Sequence, residues 1–169
     1  MTPPPRLLPL MLPQPGLAAL RDTALVEGFG FVERLMRDWD SGANRFAQPG
    51  EQLVGAFEGA WLLGFVGLNR DPYLRQAGVG RLRHLYVAPG ARGRGVGAAL
   101  VRHLLRGTAF HRLRLRTDTA AAAAFYLRLG FHPVADATAT HEIHLPPATC
   151  HLPPAGHDAH ADGVAGDWR

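Results

Sequence analysis

The stretch Leu85-Tyr86-Val87-Ala88-Pro89-Gly90-Ala91-Arg92-Gly93-Arg94-Gly95-Val96-Gly97-Ala98-Ala99-Leu100 decides how this chain folds. Residues up to Val87 read as a strand, Pro89-Gly90 stops it, and Val96, Leu100 and Leu104 recur at the spacing of a buried helix face. Between strand and helix, Gly93, Gly95 and Gly97 alternate with other residues, and Arg92 and Arg94 add charge. Without Cβ atoms the backbone can approach an anion closely. The first amides of a helix also lack acceptors within it. A diphosphate is the natural guest of such a turn.

The elements on either side define the fold class. Leu7 to Leu12, broken by Pro9, predicts an edge strand. Leu17 to Val26 and Phe29 to Trp39 carry apolar residues at helical spacing. Gln52 to Phe57 and Trp61 to Leu68 predict a hairpin turning at Glu58-Gly59, and Asn69 to Gly80 predicts a loop. Leu82 to Val87 predicts a strand with Leu82, His84 and Tyr86 on one face and Arg83, Leu85 and Val87 on the other. Downstream come a strand over Arg112 to Thr117, a helix over Ala120 to Leu129 capped by Gly130, and two strands over Phe131 to Ala135 and Thr140 to Leu145. This order implies an α/β (α+β) domain over residues 1–145, a mixed sheet covered by helices. From residue 146 to 169, Pro, Gly, Ala, His and Asp dominate, which predicts a disordered tail.

Composition removes other classes. The chain has 169 residues, room for one ordinary domain. No run reaches the eighteen or so apolar residues of a membrane span, and Met1 to Gly16 is too proline-broken for a signal peptide. A single cysteine, Cys150, excludes an internal disulfide framework and suits a reducing, cytoplasmic setting. All 18 basic residues are arginine. Ten of them, and no acidic residue, lie between Pro72 and Thr117, a field suited to an anion. The aromatics fall mostly in apolar positions of strands and helices, which argues against a nucleic-acid surface.

Two cofactor chemistries compete for the glycine turn. Gly95-Val96-Gly97-Ala98-Ala99-Leu100 partly matches a dinucleotide fingerprint, with Asp118 near the distance of a ribose-binding acid. Against a dinucleotide-binding oxidoreductase stand the long loop, the preceding hairpin and too little chain for a second half. A P-loop fails because the protein has no lysine.

The second chemistry comes with a resemblance. Arg92, Gly95 and Gly97 fill the Arg/Gln-x-x-Gly-x-Gly/Ala signature of the GNAT superfamily of acyl-CoA-dependent N-acyltransferases, behind a Leu-Tyr-Val strand and Pro89. A second block resembles the family from Thr119 to Phe131: Ala122, Tyr126, Gly130 and Phe131 fit, whereas Thr119 replaces the usual Asn. The resemblance spans roughly residues 7–145. It implies a GNAT-like, mostly antiparallel sheet of six to seven strands with about four helices.

The resemblance also implies a reaction. A substrate amine attacks the thioester of acetyl-CoA directly, with no covalent acyl-enzyme. The diphosphate would lie on amides from Arg92 to Ala98, with Arg92, Gly93, Arg94, Gly95, Gly97, Ala98 and Thr119 as cofactor-binding residues. Pantetheine would follow Leu85 to Val87 where neighbouring strands splay, and an N–H near Val87 would polarise the thioester. Tyr126 matches the general acid that protonates the leaving thiolate. Many members carry a carboxylate base on the strand before the loop; this chain has none there. His84 is the titratable candidate on that strand, with Glu58, Glu142 and His144 as alternatives. A catalytically weak acyl-CoA-binding relative is the other outcome of a missing base.

Asp38, Asp40, Glu51 and Glu58 favour a cationic acceptor, a small amine or a peptide N-terminus. A homodimer is common among such relatives. No metal is expected: His157, His160, Asp158 and Asp162 sit in the tail without fixed geometry, and Cys150 has no nearby base.

Overall fold

The computed structural model describes residues 3–147. The tail expected from residue 146 lies, from residue 148 onward, outside the described residues, and Cys150, His157 and His160 lie there too. Seven strands and four helices follow in the order β1 (Arg6–Pro9), α1 (Leu17–Val26), α2 (Phe31–Ser41), β2 (Gln52–Glu58), β3 (Trp61–Arg70), β4 (Val79–Val87), α3 (Val96–Gly107), β5 (Arg112–Leu115), α4 (Ala120–Arg128), β6 (His132–Pro133) and β7 (His141–His144). They form one sheet in the order β1-β2-β3-β4-β5-β7-β6. Every neighbouring pair is antiparallel except β4 and β5. The mixed, mostly antiparallel sheet expected from the sequence is present.

Helices cover the sheet on both faces because each carries one apolar stripe. Leu17, Leu20 and Ala24 of α1 and Val32 and Leu35 of α2 are buried with Phe65 and Tyr86. On the other face Val96, Leu100, Val101 and Leu104 of α3 are buried against Val66 and Leu113. Each such Leu or Val side chain contributes about 2 kcal/mol on burial. In α4, the Thr119 hydroxyl accepts from the Ala122 amide at 3.2 Å, and Gly130 ends the helix at φ 96°.

Two sequence expectations are corrected. The strand expected over Phe131 to Ala135 is reduced to His132 and Pro133, followed by one further bond from the Val134 amide to the Thr140 carbonyl at 2.9 Å. The simple alternation expected in β4 also fails. Tyr86 pairs with Phe65 and Arg83 with Gly67, so Val66 faces both His84 and Leu85. His84 adopts φ 57° at this bulge. Leu82, Leu85 and Val87 therefore pack toward α3. Tyr86 packs toward α1 and α2, and the His84 ring lies 6.2 Å from Phe31 and 6.4 Å from Phe46.

The acid-free segment does not stay unpaired. Arg81, Arg92, Arg94, Arg112, Arg114 and Arg116 each form an ion pair with a carboxylate from outside Pro72–Thr117. Folding thus neutralises most of the field that the linear sequence suggests.

Candidate functional site

β4 and β5 pair only from Val79 to Arg81 with Arg112 to Arg114. Beyond Arg81, β4 runs on to Val87 with no partner on that side, and the two strands part. A pocket lies where β4 ends and the glycine turn begins. It encloses about 460 Å³, bordered by Val87, Gly95, Gly97 and Ala98 on one side and Phe125 and Arg128 on the other.

The turn presents donors to this cleft. After a 3-10 turn at Pro89–Ala91, Gly93 and Gly95 take φ 73° and 78°, a region that side-chain-bearing residues avoid. Gly95 caps α3, and no side chain satisfies the exposed amides of its first turn. Amides from Gly93 to Ala98 bond to no backbone acceptor among the described residues. The Arg92 amide is already used, donating to the Pro89 carbonyl at 3.3 Å. Residues 92–95 are exposed. The positive end of the α3 dipole, with no acidic residue in its first turn, adds to the attraction for an anion.

The arginines of the turn are committed elsewhere. Arg94 donates to Glu58 at 2.5 Å, which holds the turn to the β2–β3 hairpin and occupies one alternative base. Arg92 donates through Nε to the Val87 carbonyl at 2.9 Å and grips Glu27 bidentately at 2.6 and 2.8 Å. Tyr86 donates to the same Glu27 carboxylate at 2.7 Å. Hydrogen bonds from Arg92 and Tyr86 hold the Glu27 carboxyl down at about 2. Burial, then Glu27, pushes the Tyr86 phenol up to about 12. A latch thereby ties the end of α1 to the turn.

The expected site residues divide into groups. Val87, Arg92, Gly93, Gly95, Gly97 and Ala98 border the cleft together. Leu85 packs into the α3-side core, Arg94 turns to Glu58, and Thr119 serves as the cap of α4; none of these lines the cleft. Tyr126 is buried between Phe125 and Phe131, with ring centroids at 5.0 and 5.5 Å. Its hydroxyl makes no hydrogen bond among the described residues, and burial pushes the phenol above its ordinary value.

His84 lies on the α2 side of β4. The residue is partly exposed, yet its Nε2 is sealed and has no partner among the described residues. Burial first, then the positive charges of Arg83 and Arg34, lower the imidazole to about 4. Glu142 and His144 stand on β7, away from the cleft lining. Burial opposes ionisation of Glu142, but hydrogen bonds from Arg112 and His144 prevail and keep its carboxyl below the usual range.

Sequence reasoning missed three residues here. Arg102 and Arg128 border the cleft without a carboxylate partner among the described residues. The i, i+4 step from Ala98 to Arg102 could have revealed the first. Glu27 gave no signal, because its partner Arg92 lies 65 positions away.

A family model described as an acetyltransferase (GNAT) domain matches residues 49–133, half of the chain. The chain belongs to the GNAT family of acetyltransferases. The N-alpha-acetyltransferase RimI of Mycobacterium tuberculosis (strain ATCC 25618 / H37Rv) is 36% identical over 95 residues, 52% of this chain and 56% of that protein. The match thus spans about half the length of that curated relative. A solved structure from Exiguobacterium sp. 255-15, assigned as an acetyltransferase, superposes with TM-score 0.74 at 28% identity, covering 83% of this chain and 93% of that one. A ribosomal-protein-alanine N-acetyltransferase from Brucella melitensis shares the fold with TM-score 0.63 at 20% identity, over 83% of this chain and 99% of that one.

Proposed function

We propose that this protein transfers an acetyl group from acetyl-CoA to the α-amine of a protein or peptide N-terminus by direct attack. The observation that carries the reading is the open row of amides from Gly93 to Ala98 at the mouth of the splayed β4–β5 cleft. A diphosphate seated there would receive several N–H donors and the α3 dipole. Arg102 and Arg128 would offer the remaining positive charge, and the unpaired edge of β4 would offer its backbone to pantetheine. An amide near Val87 would then polarise the thioester carbonyl. Tyr126 would donate a hydrogen bond to the departing sulfur; burial raises its phenol, which makes it a weaker acid and suits it to stabilising the thiolate by that hydrogen bond.

Proton removal from the amine points to the acceptor class. His84, lowered to about 4, has little proton affinity at neutral pH. Glu27 at about 2 is locked to Arg92 and is a weaker base still. A site without a strong base favours amines that are already neutral. Near pH 7.5, about a third of α-amines are neutral, against about one lysine side chain in a thousand. The names of the Mycobacterium tuberculosis and Brucella melitensis relatives, both N-acetyltransferases of protein α-amines or alanine, agree with this choice.

The test is a panel of acceptors with acetyl-CoA, read as free thiol. Peptides with a free N-terminus should be acetylated faster than Nα-blocked lysine peptides, with rates rising through the acceptor's own pKa. Acetyl-CoA binding with no thiol release from any amine would instead define an acyl-CoA-binding relative. Thermal stabilisation by NAD but not acetyl-CoA would overturn the donor assignment.

A further inference from the structure

We propose that His132, Glu142 and His144 form a binding site for one divalent transition-metal ion, with zinc the best-matched metal. The sheet register assembles it. β6 pairs with β7 so that His132 faces Glu142, and His144 follows Glu142 by two positions on the same strand face. Both imidazoles aim Nε2 at a single oxygen, Glu142 Oε1: His144 at 3.1 Å and His132 at 3.7 Å. The three candidate ligand atoms all lie within 4.8 Å of one another. Around a tetrahedral zinc with bonds of about 2.0–2.2 Å, ligand atoms sit roughly 3.3 Å apart, so small side-chain rotations suffice.

The surroundings favour coordination over a simple imidazole–carboxylate pair. Arg112 holds the other oxygen, Glu142 Oε2, through Nε at 2.9 Å and Nη2 at 2.5 Å. That grip fixes the carboxylate, and Oε1, now hydrogen-bonded to His144 Nε2, is the oxygen a metal would take in place of that bond, the way an outer-shell partner orients a ligand. The two imidazole planes differ by only 11°, with centroids 5.9 Å apart. Glu142 is 8% exposed whereas His132 and His144 are 52% and 59% exposed, so the open side can admit water as a fourth ligand. Two neutral imidazoles and one carboxylate suit zinc better than calcium or magnesium, which prefer oxygen. The guanidinium of Arg112, and that of Arg114 at 3.8 Å from Glu142 Oε2, oppose a cation and weaken its binding. The bound ion would staple the two-residue β6 to β7 and steady the Phe131 end of the α4–β6 turn.

The test uses the full chain, stripped with chelator, and zinc chloride alone as probe. The tail contains His151, His157, His160 and Cys150, so these are first replaced by Ala and Ser to remove competing donors. In that background, calorimetry should show one equivalent of zinc, and the thermal midpoint should rise with zinc. His132→Ala and His144→Asn should each abolish both effects, with circular dichroism checking that the variants fold. Cobalt(II) should give the intense visible absorption of a tetrahedral site, lost in the same variants. Absence of saturable zinc binding in the tail-substituted protein overturns the proposal. Binding that survives both histidine substitutions does the same.

Discussion

Replacing His84 by Asn removes an imidazole whose Nε2 is sealed, and with it a measurable pH dependence of stability. His84 titrates at its ordinary 6.5 when unfolded but near 4 when folded, because its ring is packed against Phe31 and Phe46 and faces Arg83 and Arg34. Its folded pKa is depressed. As pH falls below 6.5, the unfolded state binds a proton that the folded state refuses, and stability declines until about pH 4. Linkage with these two values gives a loss of about 2 kcal/mol between pH of about 7.5 and about 5, reaching about 3 kcal/mol near pH 4. Asn is chosen because it tolerates the left-handed backbone at φ 57° and carries no proton in this range. Urea unfolding of wild type and His84→Asn, followed by tryptophan fluorescence across this pH series, isolates the His84 contribution as the difference between two curves. Lost ring contacts lower the variant at every pH, so the slope carries the result. Parallel curves would refute the sealed, neutral imidazole. The same variant bears on catalysis: a base near 4 does little at neutral pH, so turnover should stay within about tenfold of wild type, whereas a loss of about 10²–10⁴ would place His84 in proton transfer.

Gly95→Ala should destabilise the fold by roughly 1–2 kcal/mol, since its backbone lies at φ 78°, and should weaken acetyl-CoA binding by isothermal titration. Gly97→Ala, in regular helix with its nearest neighbours at 3.5 and 3.6 Å, should instead leave stability equal or slightly higher; equal penalties at both positions would sink the account of the turn. Tyr126→Phe should change unfolding free energy by no more than about half a kcal/mol, because the hydroxyl lacks a protein partner, while turnover falls by about a hundredfold. A variant that keeps full turnover would remove Tyr126 from the chemistry.

Much of the fold was legible because its signals are local. The stripe of Val96, Leu100 and Leu104, the hairpin around Glu58-Gly59 and the cap at Gly130 depend on residues a few positions apart. The β4 bulge was not legible, because it arises from register against β3: only Phe65 and Gly67 of the neighbouring strand reveal that Val66 faces two residues. That shift put Leu82 on the α3 face with Leu85 and Val87, while His84 stayed with Tyr86 on the α2 side, and so broke the expected alternation. The candidate site shows the same division. Gly93, Gly95 and Gly97 were visible as a turn that could hold an anion, yet the fate of Arg92 and Arg94 depended on Glu27 and Glu58, distant in sequence.

By itself, the sequence determined the order of strands and helices and the glycine turn opening α3, because hydrophobic period, caps and backbone freedom are properties of neighbouring residues. It also determined that no carboxylate could stand on β4. Tertiary structure alone decided where charge remains. It paired five of the ten clustered arginines with acids ten or more positions away, left Arg102 and Arg128 beside the cleft, and brought His132 and His144 to one oxygen of Glu142. The reason is range: electrostatic partners and ligand sets are fixed by distance in space, which strand register and the splay of β4 from β5 determine.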